Sequence, residues 1–191
     1  MRLNSNFYDQ SASGSMVGTL LLAHPQLQDP NFARSVILLT AHTSEEGALG
    51  LVLNRPLSRK LVDLKPELLG SALAGVPLYR GGPVATDQAI LAAWKYEARE
   101  SAFKLYFGID EAKANQIKKE DPAYELRAFM GYSGWSEKQL EDELKNDSWV
   151  LSQLKPHVNH TTGDPLWLKL LCEVSPELGL WADEPEDLSS N

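Results

Sequence analysis

Apolar and polar positions divide the chain into short blocks whose period changes along its length. Val17–Ala23, Ser35–Ala41 and Ala48–Leu53 are nearly continuous apolar runs, and Val36 and Ile37 add β-branching to the second. Runs of this length bounded by turn residues predict buried strands. Asn54-Arg55-Pro56 closes the third run. The residue before a proline avoids the α region, so this tripeptide should turn or stay extended. Residues 57–78 are less regular and leave room for one or two helical turns. Arg80-Gly81-Gly82-Pro83 has the composition of a tight turn. Gln88–Tyr96 and Ala102–Phe107 predict two further strands, paired antiparallel.

The period then becomes helical. Asp110–Glu120 contains no Gly or Pro and is rich in Ala, Lys and Glu, with Asp110 placed as N-cap. Asp121-Pro122 ends it, and Tyr124–Met130 returns as a strand. Gly131–Trp135 then predicts a sharp turn into a helix over Ser136–Lys145. That helix has a capping box from Ser136 to Gln139, Leu140 and Leu144 on one face, and Glu141 placed to pair with Lys145. Trp149–Leu154 predicts a short strand, and Asp164-Pro165 a helix start. The last helix carries Leu166, Trp167, Leu170, Leu171 and Val174 on one face. Leu168 and Cys172 widen the apolar arc and leave only Lys169 and Glu173 polar, which predicts burial on most sides.

Early strands and a later helix–strand–helix alternation define the expected fold class as α+β. The expectation is one compact α/β sandwich over residues 16–183, with a mixed, largely antiparallel sheet and a few flanking helices. Residues 86–130 are a candidate subdomain. Residues 1–15 read as a disordered polar tail. The acidic C-terminal stretch, with Glu173, Glu177 and Asp183 before the 184–191 tail, reads as a solvated, frayed end.

Composition narrows the function classes. The 191 residues are 43% hydrophobic and 23% charged, which supports a normal core without metals or disulfides. Cys172 is the only cysteine, so no intrachain disulfide can form, and the expected location is the reducing cytoplasm. Met1–Ser15 lacks the basic start and apolar run of a signal peptide, and no apolar stretch reaches the roughly 18 residues of a membrane span. A net charge of −8 disfavours direct nucleic-acid binding and attraction to anionic lipid. The short basic spots Arg55, Arg59, Lys60 and Lys118, Lys119 are too small to reverse this.

Candidate chemistry concentrates at a few positions. Gly131-Tyr132-Ser133-Gly134-Trp135 approaches the nucleophile elbow Gly-x-Ser-x-Gly, but Trp135 stands where the last glycine belongs. The competing reading is a glycine turn whose aromatics pack the sheet end. Arg34 offers a fork-shaped donor for carboxylate or phosphate, against an internal pair with Asp29 or a carbonyl. His42 ends a strand and reads as a base, a ligand or a hydrogen-bonded structural group. His157-x-x-His160 has metal-compatible spacing only if helical, and Thr161-Thr162-Gly163 argues for a loop, so no metal is expected. Arg80-Gly81-Gly82-Pro83 lacks the Lys-Ser/Thr of a P-loop. Cys172, on an apolar helix face, is read as an unreactive thiol.

Together these segments resemble the YqgE/AlgH family of bacterial proteins. The resemblance is carried by Gly18–Ala23, Pro25, Leu27, Asp29-Pro30, Phe32, Arg34-Ser35-Val36, His42, Gly47–Gly50 and Asn54-Arg55-Pro56. It continues through Gly81-Gly82-Pro83-Val84, Gly131–Trp135, Gln139-Leu140, Glu143, Trp149 and Trp167, spanning about residues 17–182. The resemblance implies a single α/β unit without an assigned biochemical activity; one member is described as a transcriptional regulator. Where such proteins usually carry Arg-Gly-Phe-Val-Leu-His, this chain has Gln88-Ala89-Ile90-Leu91-Ala92-Ala93, so both the arginine and the histidine are missing.

The resulting expectation is a cytoplasmic, non-enzymatic binding or regulatory protein without cofactor. Its partner would be a protein or a small anionic ligand. Arg34, His42, Asn54, Ser133, Trp135 and Gln139 form the candidate binding set, with the polar members gathered at one sheet end. The alternative is a hydrolase or transferase built on the Gly131–Trp135 turn, which needs a histidine within reach of Ser133.

Overall fold

The computed structural model describes residues 16–43, 45–97, 102–155, 158 and 160–183. The expected tails, 1–15 and 184–191, and His157 of the His-x-x-His pair lie outside the described residues. Nine strands and four α-helices are described: β1 (Thr19–Ala23), β2 (Val36–Thr43), β3 (Gly47–Val52), β4 (Pro56–Lys60), β5 (Pro77–Arg80), β6 (Val84–Glu97), β7 (Ala102–Ile109), α1 (Glu111–Glu120), β8 (Glu125–Trp135), α2 (Gln139–Lys145), β9 (Trp149–Gln153), α3 (Gly163–Val174) and α4 (Pro176–Asp183). Two short 3₁₀ turns, Leu61–Asp63 and Pro66–Leu68, fill the irregular stretch between β4 and β5. The fold is α+β, as its sequence pattern predicts.

One mixed sheet runs in the order β4-β5-β8-β3-β2-β1-β9, with β6 paired to β8 and to β7. Among the described residues only the β5–β8 ladder is parallel. The alternation of side chains along a strand sends the apolar runs to both faces. Leu20, Leu22, Val36, Leu38, Leu51 and Leu53 meet Leu166, Trp167, Leu170 and Leu171 of α3 on one face. Leu21, Ala23, Ile37, Leu39 and Val52 meet Trp135, Leu140 and Trp149 on the other. Leu61, Leu78, Leu91, Ile109, Ile117 and Leu126 form a third cluster under α1 and the 3₁₀ turns. The four buried side chains of α3 contribute roughly 8 kcal/mol of transfer free energy before conformational entropy is subtracted. The Trp167 indole also donates to the Ala23 carbonyl at 2.8 Å, which fixes α3 against β1.

Four expectations are corrected. Gly131–Trp135 is no turn: it is the second half of β8. Gly131 has φ +69°, and a Cβ there would lie 2.6 Å from the Val84 carbonyl oxygen and 2.8 Å from that of Gly82. The glycine therefore serves a close approach of backbones. Beyond it, β8 leaves β5 and pairs with β3, Gly50 opposite Ser133. The helix expected from Ser136 starts at Gln139, because Lys138 takes a left-handed φ of +61° at its N-cap. Half of the capping box still forms, since the Gln139 side-chain oxygen accepts from the Ser136 N–H at 3.0 Å.

The last helix is buried on one face only. Val174 and Cys172 are exposed, although a Cβ on Gly179 of α4 would lie 2.3 Å from the Cys172 sulfur. The expected frayed end is also too long. Glu173 sits in α3 and pairs with Lys155 at 2.6 Å, while Glu177 and Asp183 lie in α4.

Candidate functional site

The candidate residues do not gather at one sheet end. Arg34 precedes β2 and His42 lies near its far end, so the strand holds them about 20 Å apart at roughly 3.3 Å per residue. Arg34 and Asn54 share the first end. His42, Trp135 and Gln139 share the second. Ser133 lies between them, fully buried, with its hydroxyl donating to the Gly81 carbonyl at 3.3 Å.

The second end is a closed polar knot. The His42 Nδ1 accepts from the Met16 N–H at 3.4 Å, and its Nε2 lies 2.9 Å from Glu141 Oε1. With Nδ1 accepting, Nε2 carries the proton and donates to the carboxylate. This hydrogen bond is the main cause that holds the Glu141 carboxyl below its ordinary range. Beside it, Glu143 Oε2 accepts from the Trp135 indole at 2.8 Å and the Trp149 indole at 2.7 Å, while Oε1 accepts from Gln139 at 2.9 Å. Phe32 stacks on Trp135 and meets Trp149 edge-on. Every polar group in the knot has a partner, so it reads as a structural staple.

The first end is built on Asn54. This side chain is 2% exposed and makes three bonds: Oδ1 accepts from the Val36 N–H at 3.0 Å, and Nδ2 donates to the carbonyls of Arg34 at 2.9 Å and Gly163 at 3.0 Å. The Asn54 carbonyl in turn accepts from the Gly163 N–H at 2.8 Å. One residue thus ties the loop before β2 to the start of α3. Arg34 is held at φ +56° and forms an ion pair with Asp164, not Asp29, at 3.1 Å. Arg55 reaches back to the carbonyls of Asn31 and Ala33, the latter at 2.9 Å.

Sequence reasoning passed over the role of Arg55 and Arg80. Pro56 pairs with Tyr79 across the β4–β5 ladder, and the next step sets Arg55 against Arg80, whose N–H donates to the Arg55 carbonyl at 2.8 Å. Like charges opposite each other in an antiparallel pair are destabilising. Arg80 is exposed, and among the described residues its side chain has no hydrogen-bond or ion-pair partner. Partial burial, followed by the Arg80 charge, lowers the Arg55 guanidinium below its ordinary value, while Asp164 and Asp29 act in the opposite sense. The signal available in the sequence was the Asn-Arg-Pro stop followed by Arg80 before two glycines.

Arg127 provides the contrast. It is 1% exposed, pairs with Glu125 at 3.0 Å, donates to the Leu53 carbonyl at 3.1 Å, and lies between the rings of Tyr79 and Trp94. It is a satisfied core cation. Among the described residues no group of three His, Cys, Asp or Glu side chains is placed to hold a metal ion. No helix among them is long and apolar enough to cross a membrane.

These observations define a single-sheet α+β protein with a sealed aromatic end and an arginine-rich end, and with a buried serine where a nucleophile would have to be exposed. The chain belongs to the AlgH-like family, whose pattern matches residues 20–179. It is 38% identical over 189 residues to a UPF0301 protein of Streptomyces avermitilis, covering 93% of this chain and 96% of that one. A UPF0301 protein of Bacteroides fragilis is 29% identical over 199 residues, with both chains covered in full. Two solved structures share the fold. A crystal structure of a Corynebacterium diphtheriae protein has a TM-score of 0.69 at 23% identity, over 95% of this chain and 94% of that one. The solution structure of the AlgH protein from Pseudomonas aeruginosa has a TM-score of 0.63 at 24% identity, over 94% and 100%.

Proposed function

We propose that this protein is a non-enzymatic, cytoplasmic binding protein that takes a small anionic ligand at the Arg34, Arg55 and Arg80 end of the sheet. The observation that carries this reading is the Arg55–Arg80 pair, two like charges set opposite each other, of which Arg55 bonds the Asn31 and Ala33 carbonyls and Arg80 has no side-chain partner among the described residues. Such an arrangement costs stability until an anion neutralises it. Guanidinium groups suit carboxylate and phosphate because they donate two parallel hydrogen bonds. A hydrolase or transferase reading is not favoured, because Ser133 is buried mid-strand and its proton is committed to the Gly81 carbonyl.

Any regulatory role follows from ligand binding and acts through a protein partner, without direct contact to nucleic acid. The exposed Leu180 and Trp181 on α4, next to α3, favour that second element. The test is a thermal-shift screen of anionic metabolites against the full chain. Ligands bound only by the native state raise the melting temperature. Arg80→Ala should abolish the shift, and a shift retained in full would remove the site from consideration.

A further inference from the structure

The same end of the sheet contains an acidic side chain in the position of a ligand. Asp164 lies in the first turn of α3 and takes Arg34 at 3.1 Å, with side chains 48% and 61% exposed for Arg34 and Asp164 respectively. An ion pair this open contributes little to stability and exchanges readily with another anion. Its geometry is nevertheless set with care. Asn54 bonds the Arg34 carbonyl and the Gly163 carbonyl through one amide, so a single buried side chain places both the cation and the carboxylate that covers it. Arg55, fixed by Asn31 and Ala33, lies within electrostatic reach of both Asp164 and Arg80, and the Arg80 side chain has no partner among the described residues.

We infer that Asp164 is a built-in competitor: it occupies Arg34 in the empty protein and is displaced by a phosphate-type dianion that engages Arg34, Arg55 and Arg80 together. This rests on the anion-binding reading above. A carboxylate tethered one residue from an anchored glycine acts at an effective concentration on the order of millimolar. A monoanion that exchanges one carboxylate for another gains little from Arg34. A dianion reaching all three guanidinium groups gains contacts that Asp164 cannot make, so the tethered carboxylate sets both a threshold and a selectivity. Partial burial first, and then the Arg80 charge, lowers the Arg55 guanidinium, and Asp164 and Asp29 oppose this only in part.

The test is titration of the full chain with inorganic phosphate at constant ionic strength, followed by the arginine side-chain N–H resonances. Asp164→Asn should tighten phosphate binding about 5-fold, the ceiling expected for losing a surface pair. Asp29→Asn removes a similar charge near Arg55 without freeing Arg34, and should change affinity less than about 2-fold. In an Arg34→Ala background the Asp164→Asn gain should vanish. Equal gains from both aspartate variants, or a gain that survives without Arg34, would overturn the competitor while leaving the anion site intact. No titration by wild type and Asp164→Asn alike would overturn the site itself. Asp164→Ser, with melting temperature checked, replaces Asp164→Asn if that variant folds poorly.

Discussion

The two ends of β2 solve opposite problems with the same kinds of side chain. At the His42 end, one carboxylate, Glu143, absorbs three donors and a second, Glu141, absorbs an imidazole. At the Arg34 end, Arg34 pairs with the exposed Asp164, Arg55 bonds the Asn31 and Ala33 carbonyls, and Arg80 has no side-chain partner among the described residues. A saturated network holds a fold together, because each buried or half-buried donor left unpaired would cost about 1–3 kcal/mol. An exposed guanidinium such as that of Arg80 is hydrated and carries no such cost, so it does not hold the fold together. The contrast teaches that polarity alone does not tell which side chains hold the fold; the balance of donors against acceptors does.

The comparison breaks hardest at Asn54, the buried residue of the arginine end that ties the loop before β2 to the start of α3. Asn54→Ala removes three side-chain bonds in a buried setting and should cost about 3 kcal/mol in urea unfolding. It should also weaken anion binding, since it releases Arg34. Next comes Glu143→Gln, which keeps the shape but can no longer present two charged acceptors to the indoles of Trp135 and Trp149 and the Gln139 amide. Its expected cost is about 2 kcal/mol with anion binding unchanged.

A pH titration isolates the smaller Glu141 contribution. The His42 bond depresses its folded-state value, so the carboxylate stabilises the protein fully above the unfolded value near ~4.3 and loses that stabilisation as pH falls through the lower folded value. Glu141→Gln should therefore melt below wild type at neutral pH, and the gap should close in acid below pH ~4. A gap that widened in acid would contradict the His42–Glu141 bond. Arg80→Ala is the smallest perturbation of stability and the sharpest of the comparison. Removing one of two facing cations should leave stability within about 0.5 kcal/mol or raise it, while abolishing the ligand-induced thermal shift.

Legibility in the sequence followed the range of the interaction. The apolar runs of β1, β2 and β3 were readable because a strand needs only its own side chains to declare itself, and Asp110 was readable as the α1 cap because its oxygen bonds Lys113 three residues on, at 2.8 Å. Gly131–Trp135 misled because glycine signals equally a turn and a close backbone approach, and only the neighbouring Gly82 and Val84 carbonyls decide between them. The expected gathering of Arg34, His42, Asn54, Ser133 and Gln139 at one sheet end misled for a similar reason: an extended strand separates two groups of them, which no local pattern shows.

What the sequence by itself determined is the α+β class, the apolar elements and the family, because periodicity and ordered short motifs are properties of the chain alone. Tertiary structure alone decided which charges face each other. Arg55 and Arg80 are separated by 24 residues of β4, 3₁₀ turns and β5, and Arg34 and Asp164 by 130 positions. Strand register and the packing of α3 bring them together, and no local rule fixes a contact across such distances.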